Sequence, residues 1–138
     1  MFHDIFSKNK EQEKIEKKIG TKIIADYREK NSLVIAEMIH LGLQVEFQTL
    51  KVADYLVNNI AIERKTISDF LSSIINKRIF RQLEEIKQYP KHFLIIEGTE
   101  KQELYNEKNE GINSNAIRGM LLSIILKYQI PIIFTKNE

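Results

Sequence analysis

A three-layer α/β domain built on a mixed β-sheet is the fold class that this sequence predicts. Three observations carry it. Short strand-like runs alternate with stretches of helical period, and two apolar runs flank an Asn-Asn pair in the manner of a hairpin. One uninterrupted apolar run, His92 to Glu97, suits a strand covered on both faces. A chain of 138 residues is the size of one domain with a real core. The expected division is a charged tail over 1–20 and the folded domain over 21–138.

Taken in order, Lys8 to Lys18 is almost wholly charged or polar and reads as a solvated tail. Lys22 to Ala25 is a short strand that ends at Asp26. Ser32 caps a helix over Leu33 to Leu41, and Gly42 stops it. Val45 to Leu50 alternates apolar and polar as a half-buried strand does. Tyr55 to Ile62 is the hairpin, with Asn58 and Asn59 at its turn because asparagine tolerates positive φ. From Thr66 the period changes to three and four. Ile67, Phe70, Leu71, Ile74, Ile75, Ile79, Leu83 and Ile86 make one apolar stripe, which predicts a single long helix to about Tyr89, ended by Pro90. Gly98 to Gly111 is polar and reads as a mobile loop. Asn113 or Ser114 caps a helix carrying Ile117, Leu121, Ile124, Ile125 and Tyr128. Ile130 to Phe134 is a last strand, peripheral because of Pro131.

Composition narrows the function classes without choosing among them. Apolar residues are 43% and charged residues 29%, as in a soluble globular protein. There is no cysteine, so neither a disulfide nor a thiolate metal site is available. The histidines His3, His40 and His92 share no zinc-ligand spacing. No glycine-rich phosphate loop exists, which argues against nucleotide-driven work. No apolar run reaches the length of a membrane span, and the N-terminus lacks a signal-peptide core, so the expectation is an intracellular protein. The net charge of +2 is mildly basic and compatible with nucleic acid.

The hairpin register points to chemistry. With the turn centred on the two asparagines, Val57 faces Ile60, Leu56 faces Ala61, Tyr55 faces Ile62, and Asp54 faces Glu63. Opposite residues on one face have Cβ atoms about 4.5–5.5 Å apart. Two carboxylates there repel by roughly 3 kcal/mol at an effective dielectric near 20. A divalent cation turns that penalty into a ligand pair, and oxygen ligands suit magnesium or manganese. A proton retained on one carboxyl relieves the same repulsion without metal. Lys65, two residues beyond Glu63, shares its face. Two acids and an ammonium can together bind a metal, orient a water and neutralise a phosphate.

Val52-Ala-Asp-Tyr55 followed by Glu63-Arg-Lys-Thr-Ile-Ser-Asp69-Phe70 resembles the nuclease domain of the XPF/Hef family of structure-specific endonucleases, whose signature is GDY…ERKxxxD. The likeness continues in Ile24-Ala-Asp-Tyr-Arg-Glu29, in Ser73, Arg78 and Gln82 of the long helix, and in Asn115-Ala-Ile-Arg-Gly119. This resemblance implies a restriction-endonuclease-like fold of the PD-(D/E)xK type. It further implies magnesium- or manganese-dependent cleavage of branched DNA such as 3′ flaps and forks, and a homodimer. By position, Asp54 and Glu63 would be metal ligands, with the Arg64 carbonyl as a third, and Lys65 would act on the attacking water or the phosphate. Asp26 and Glu29 would complete the acidic patch and serve a second metal. Ala53 stands where the family has glycine, which matters if that residue takes positive φ. Family members usually continue into a helix-hairpin-helix domain, and some carry a helicase. This chain has neither, so the expectation is either an excised or reduced form, or a separate domain, helicase or partner that supplies DNA affinity.

The remaining candidates carry two readings each. Asp69 lies three residues after Thr66, as in a capping box, and also stands in the catalytic signature. Arg64 points to the other face from Lys65, its side chain open to Asp69 or a phosphate. Arg78 and Gln82 lie one turn apart for polar work near the site or for solvation, and Arg118 for DNA contact or solvation. Leu122 and Ile125 serve core or interface. The function expected is a metal-dependent endonuclease. Two alternatives stand beside it: a catalytically silent nuclease-fold subunit that binds DNA or a partner nuclease, and a nuclease of the wider group acting on other DNA or RNA.

Overall fold

The computed structural model describes residues 20–98 and 112–136. The charged tail and most of the Gly98–Gly111 loop lie outside the described residues. Strand β1 is Lys22–Asp26, followed by a 3-10 turn Tyr27–Glu29, helix α1 Leu33–His40, and strand β2 Gln44–Gln48. Then come β3 Tyr55–Val57, β4 Ile60–Thr66, α2 Ile67–Ile75, α3 Arg78–Ile86, β5 Lys91–Glu97, α4 Ser114–Leu126 and β6 Ile132–Thr135. The strands form one six-stranded sheet in the order β2-β1-β3-β4-β5-β6. β3 runs antiparallel to both β1 and β4, while β1–β2, β4–β5 and β5–β6 are parallel. The mixed sheet of the sequence analysis is therefore present, and β6, with Pro131 before it, is an edge strand.

The hairpin forms as its residues dictate. Asn58 and Asn59 both take positive φ, 48° and 65°. That pair of left-handed residues is the two-residue turn whose twist matches the flanking strands. Tyr55–Ile62, Leu56–Ala61 and Val57–Ile60 pair as the register requires. The alternation of strand side chains then sorts residues by face. Ile23, Ala25 and Tyr55 pack with Ile35 of α1 in one buried cluster. Ala61, Leu94 and Ile96 belong to a larger cluster with Ile67 and Phe70 of α2, Ile79 and Leu83 of α3, and Ile117 and Ile124 of α4. Helix α1 thus covers one side of the sheet and α2, α3 and α4 the other, which makes three layers.

Several boundaries differ from the sequence expectation, each for a local reason. The long helix is two helices. Asn76 ends α2, and Lys77 turns left-handed at φ 64°. The Asn76 side chain then accepts from the Arg78 N–H at 3.1 Å and opens α3. An asparagine that bonds its neighbours' backbone competes with continued helix, which an apolar stripe cannot reveal. β2 stops at Gln48 because the Leu50 N–H is drawn to Asp26 Oδ2 at 2.8 Å. In β5, Leu94 and Ile96 are buried but Phe93 and Ile95 only half-buried, so one face of this strand is fully covered rather than both. Ser32 caps α1 through the Ile35 N–H, and Gly42 at φ 76° ends it. Asn113 is the N-cap of α4, accepting from Asn115 and Ala116. No helix among the described residues is long and apolar enough to cross a membrane.

Candidate active site

The ladder of the β3–β4 hairpin stops one pair short of the two acids. The Asp54 N–H bonds to the Ile62 carbonyl at 2.9 Å, while its own carbonyl accepts from Asp26 N–H at 2.8 Å. Asp54 therefore stands where β1, β3 and β4 meet. Ala53 before it is buried and left-handed, at φ 70°. That conformation, which alanine resists, bends the chain so that Asp54 leaves the strand. Its carboxylate is then fixed by the next strand: Oδ2 accepts from the Arg64 N–H at 2.8 Å.

Asp54 and Glu63 share a cleft of about 240 Å³ whose rim carries Arg28, Lys51, Arg81 and Gln82. Burial pushes the Asp54 carboxyl up to about 6, against the pull of the Arg64 N–H. Burial, followed by the charge of Asp54, pushes Glu63 up to about 7. Lys65 is buried with only 6% of its surface exposed, and its Nζ lies 3.7 Å from Glu63 Oε1. Burial disfavours the charged form of both acids, a penalty that a cation bound between them would offset. Those two carboxylates suit a small divalent cation with oxygen ligands, and its remaining positions would fall to backbone carbonyl or water. Among the described residues no group of three His, Cys, Asp or Glu side chains is arranged for a metal.

Asp26 and Glu29 lie close by but are already engaged. Asp26 Oδ1 accepts from the Arg28 N–H at 2.9 Å and from Arg28 Nε at 2.6 Å, and Oδ2 accepts from Leu50. The Arg28 hydrogen bond, opposed by burial, holds the Asp26 carboxyl below its ordinary value. This arrangement makes Asp26 an anchor for Arg28 and for the segment that leads to Asp54. Glu29 belongs to a second network. Tyr55 donates its hydroxyl to Glu29 Oε2 at 2.5 Å, and Arg64 reaches the same oxygen at 3.2 Å and Glu97 at 2.8 Å. Arg64 thus points away from Lys65, as the strand alternation requires, but it holds Glu29 and Glu97 rather than Asp69 or an open phosphate site.

The other candidates separate. Thr66 Oγ1 accepts from the Asp69 N–H at 3.1 Å, so Thr66 caps α2 and Asp69 sits in its first turn, exposed. Gln82 lies in the cleft, whereas Arg78 at the exposed start of α3 is not among the lining residues. Arg118 is exposed on α4 beside Asn115. Arg28, Lys51, Arg81 and Glu97 were not singled out by the sequence. Arg28 stood inside the segment Ile24 to Glu29 that carries the resemblance, and Glu97 closes an otherwise apolar strand. Lys51 and Arg81 leave no signal distinguishable from ordinary surface charge.

Comparison with known proteins agrees with this architecture. A protein of Saccharolobus solfataricus named as a 3′-flap repair endonuclease Xpf is 31% identical over 121 residues, covering 85% of this chain and 49% of its own length. A protein of Methanocaldococcus jannaschii carrying an ATP-dependent RNA helicase name is 45% identical over 117 residues, covering 84% of this chain and 14% of its own length. The solved structure of XPF from Aeropyrum pernix superposes with a TM-score of 0.75 at 30% identity, covering 84% of this chain and 54% of that one. The chain thus spans about half or less of the length of these relatives. The sheet matches the XPF nuclease domain and so has the restriction-endonuclease-like fold. The ERCC4 domain model matches residues 25–138, and the chain belongs to the ERCC4 domain family.

Proposed function

We propose that this chain is a magnesium- or manganese-dependent endonuclease domain that hydrolyses phosphodiesters in branched DNA, 3′ flaps and forks in particular. The observation that carries the reading is the pairing of Asp54 and Glu63, both resisting ionisation, in one cleft beside the buried Lys65. The relative named as a 3′-flap repair endonuclease supports the substrate class. The Aeropyrum pernix XPF structure in complex with DNA, matched at a TM-score of 0.74 and 30% identity, supports DNA as the polymer acted on. When bound, the cation would supply positive charge to the phosphate and a lowered pKa to water. Asp54 and Glu63 would hold it through their carboxylate oxygens, with the Arg64 carbonyl completing the set. Lys65, on the Glu63 face of β4, is the chain's own cation for the attacking water or the charge that develops on the phosphate. Arg28, Lys51 and Arg81 on the rim suit the flanking phosphates. Asp69 contributes through α2, whose first turn it occupies. Asp26 and Glu29 act through the hydrogen bonds that place Arg28, Asp54 and Arg64, so the reading uses the Asp54–Glu63 pair alone for metal.

The same reading includes a homodimer. Leu122, Ile125 and Leu126 of α4 and Ile133 and Phe134 of the edge strand β6 are large apolar residues left exposed, Leu126 at 71%. Exposed apolar side chains three and four residues apart on α4 suit an interaction surface. The helicase-named relative is consistent with a helicase as the additional partner.

A labelled 3′ flap incubated with the chain and Mg²⁺ or Mn²⁺ tests the activity. Cleavage should appear in wild type and vanish in Asp54→Ala and Glu63→Ala. Tight DNA binding with no cutting under either metal would instead establish the silent-subunit reading. Equal cutting by wild type and both variants would place the activity elsewhere.

A further inference from the structure

Tyr27 leaves an aromatic ring in the open, in the 3-10 turn between Asp26 and Lys30, and is 57% exposed. Its ring stacks on that of Phe47, with centroids 6.2 Å apart and planes inclined by 25°. Such a separation lies within the range at which aromatic rings attract. Phe47 is itself half-buried and packs against the cluster of Ile23, Ala25, Ile35 and Tyr55. A single exposed apolar side chain needs no explanation. An exposed ring backed by a second ring that is anchored in the core is a fixed aromatic surface.

The two segments that carry these rings also supply cations to the cleft. Arg28 follows Tyr27 directly and Lys51 follows β2, which holds Phe47; both line the cleft with Asp54 and Glu63. Asp26 ties the segments together, its Oδ1 accepting from the Arg28 N–H at 2.9 Å and its Oδ2 from the Leu50 N–H at 2.8 Å. The Asp26 N–H bonds in turn to the Asp54 carbonyl at 2.8 Å, so the turn is fixed relative to the acid pair. The acids of the turn do not cancel its positive charge. Asp26 is paired with Arg28 and Glu29 with Arg64, while Lys30 and Lys51 are exposed. A stacked ring among cations at the mouth of a phosphate-binding cleft is the composition that suits single-stranded nucleic acid. The cations take the backbone and the ring takes a base.

We propose that Tyr27, backed by Phe47, is a stacking platform for an unpaired base of the branched DNA, beside the phosphates that Arg28 and Lys51 meet at the rim. The inference rests on the endonuclease reading and adds to it a contact that separates a single-stranded arm from a duplex. Within a duplex the faces of a base are covered by its neighbours, so the ring has a base face to meet only where the strand is unpaired. The contact tolerates any sequence, because every base has a π-face.

The test measures binding by the 138-residue chain in EDTA, where nothing is cut, through fluorescence polarisation of labelled DNA. Three probes are compared: a 3′ flap with an oligothymidylate arm, the same flap with an abasic arm, and a plain duplex. Tyr27→Ala should weaken binding of the oligothymidylate flap at least about fivefold. Its affinity for the abasic flap and the duplex should stay within about twofold of wild type. Tyr27→Phe keeps the ring and should bind as wild type does. Tyr27→Trp gives the chain, which has no tryptophan, a single indole whose emission the oligothymidylate flap should quench and the abasic flap should not. If Tyr27→Ala melts well below wild type, the indole measurement decides the matter by itself. Equal affinity of wild type and Tyr27→Ala for the oligothymidylate flap overturns the inference and leaves the ring to a protein partner. Equal weakening toward all three DNAs also overturns it, because the ring would then act through the fold, and so does an indole that the flap leaves unmoved. A wild-type chain that binds none of the three overturns the inference, while cleavage in Mg²⁺ decides the endonuclease reading separately.

Discussion

Asp54→Asn should stabilise this protein in the absence of metal while abolishing its activity. In the folded chain burial, then the charge of Asp54, raises Glu63 from the ordinary 4.5 to about 7. At about 1.4 kcal/mol per pH unit, the displacement of Glu63 corresponds to about 3 kcal/mol. Below about pH 3 both carboxyls are almost wholly neutral in the folded and unfolded chains alike, and the full stability is present. As pH rises from there to about 7, the unfolded chain releases its protons first, so metal-free stability falls. Asparagine keeps an oxygen for the Arg64 N–H, which Asp54 Oδ2 accepts at 2.8 Å, but carries no charge. It removes the buried charge at position 54 and the repulsion felt by Glu63, and leaves Glu63's own burial. The net gain should be about 2 kcal/mol at pH 8, or about 5–10 °C in melting temperature for a domain of this size. Thermal melts in EDTA at pH 4, 6 and 8 measure it. Wild type should lose stability steadily across the series and Asp54→Asn much less. Manganese should raise the wild-type melting temperature at pH 8 and leave the variant unmoved. An Asp54→Asn protein that melts at or below wild type at pH 8 would refute the reasoning, because the acids would then not be held in mutual repulsion.

Other outcomes follow from the same geometry. Ala53→Gly should stabilise by about 0.5–1 kcal/mol in urea unfolding, since Ala53 sits at φ 70° and glycine enters that region freely; a loss of stability would show that the buried methyl outweighs the strain. Arg64→Ala strands Glu97, 5% exposed at its side chain, and Glu29 without their cation, and should cost about 3–5 kcal/mol, with Arg64→Lys between it and wild type. Unchanged urea midpoints would mean that the network contributes nothing. Leu126→Glu should convert a dimer to a monomer in sedimentation experiments without lowering the melting temperature of the monomer, because this side chain is 71% exposed. A wild-type chain that is monomeric at high concentration would remove the dimer from the proposal.

Much of the local structure could be read because it depends on few neighbouring residues. Asn58 and Asn59 specified both the turn and the register behind it, and two-residue periodicity then placed Lys65 with Glu63 and Arg64 opposite. Thr66, Ser32 and Asn113 announced helix starts through side chains that bond the first free N–H groups. The same locality misled at Asn76. The apolar stripe from Ile67 to Ile86 is compatible with one helix or two, and the break depends on which backbone groups the asparagine side chain captures. Ala53 showed the limit from the other side. Its departure from glycine was visible, but whether the position needs positive φ is set by how three strands converge on Asp54.

From its order of residues alone, this chain determined a mixed α/β domain, a hairpin that delivers an acid and a lysine to one face, and membership of a nuclease lineage. Those features follow from periodicity, turn chemistry and short-range spacing, which act over a few residues. Tertiary structure decided how the carboxylates are used. Asp26 is consumed by Arg28 and Leu50, Glu29 by Tyr55 and Arg64, and the Asp54–Glu63 pair faces the cleft. It also brought Arg28, Lys51, Arg81 and Gln82 to the cleft from distant elements. Hydrogen bonds between residues far apart in sequence leave no periodic trace, so which acid is held by an arginine side chain and which faces the cleft emerges only when the strands meet.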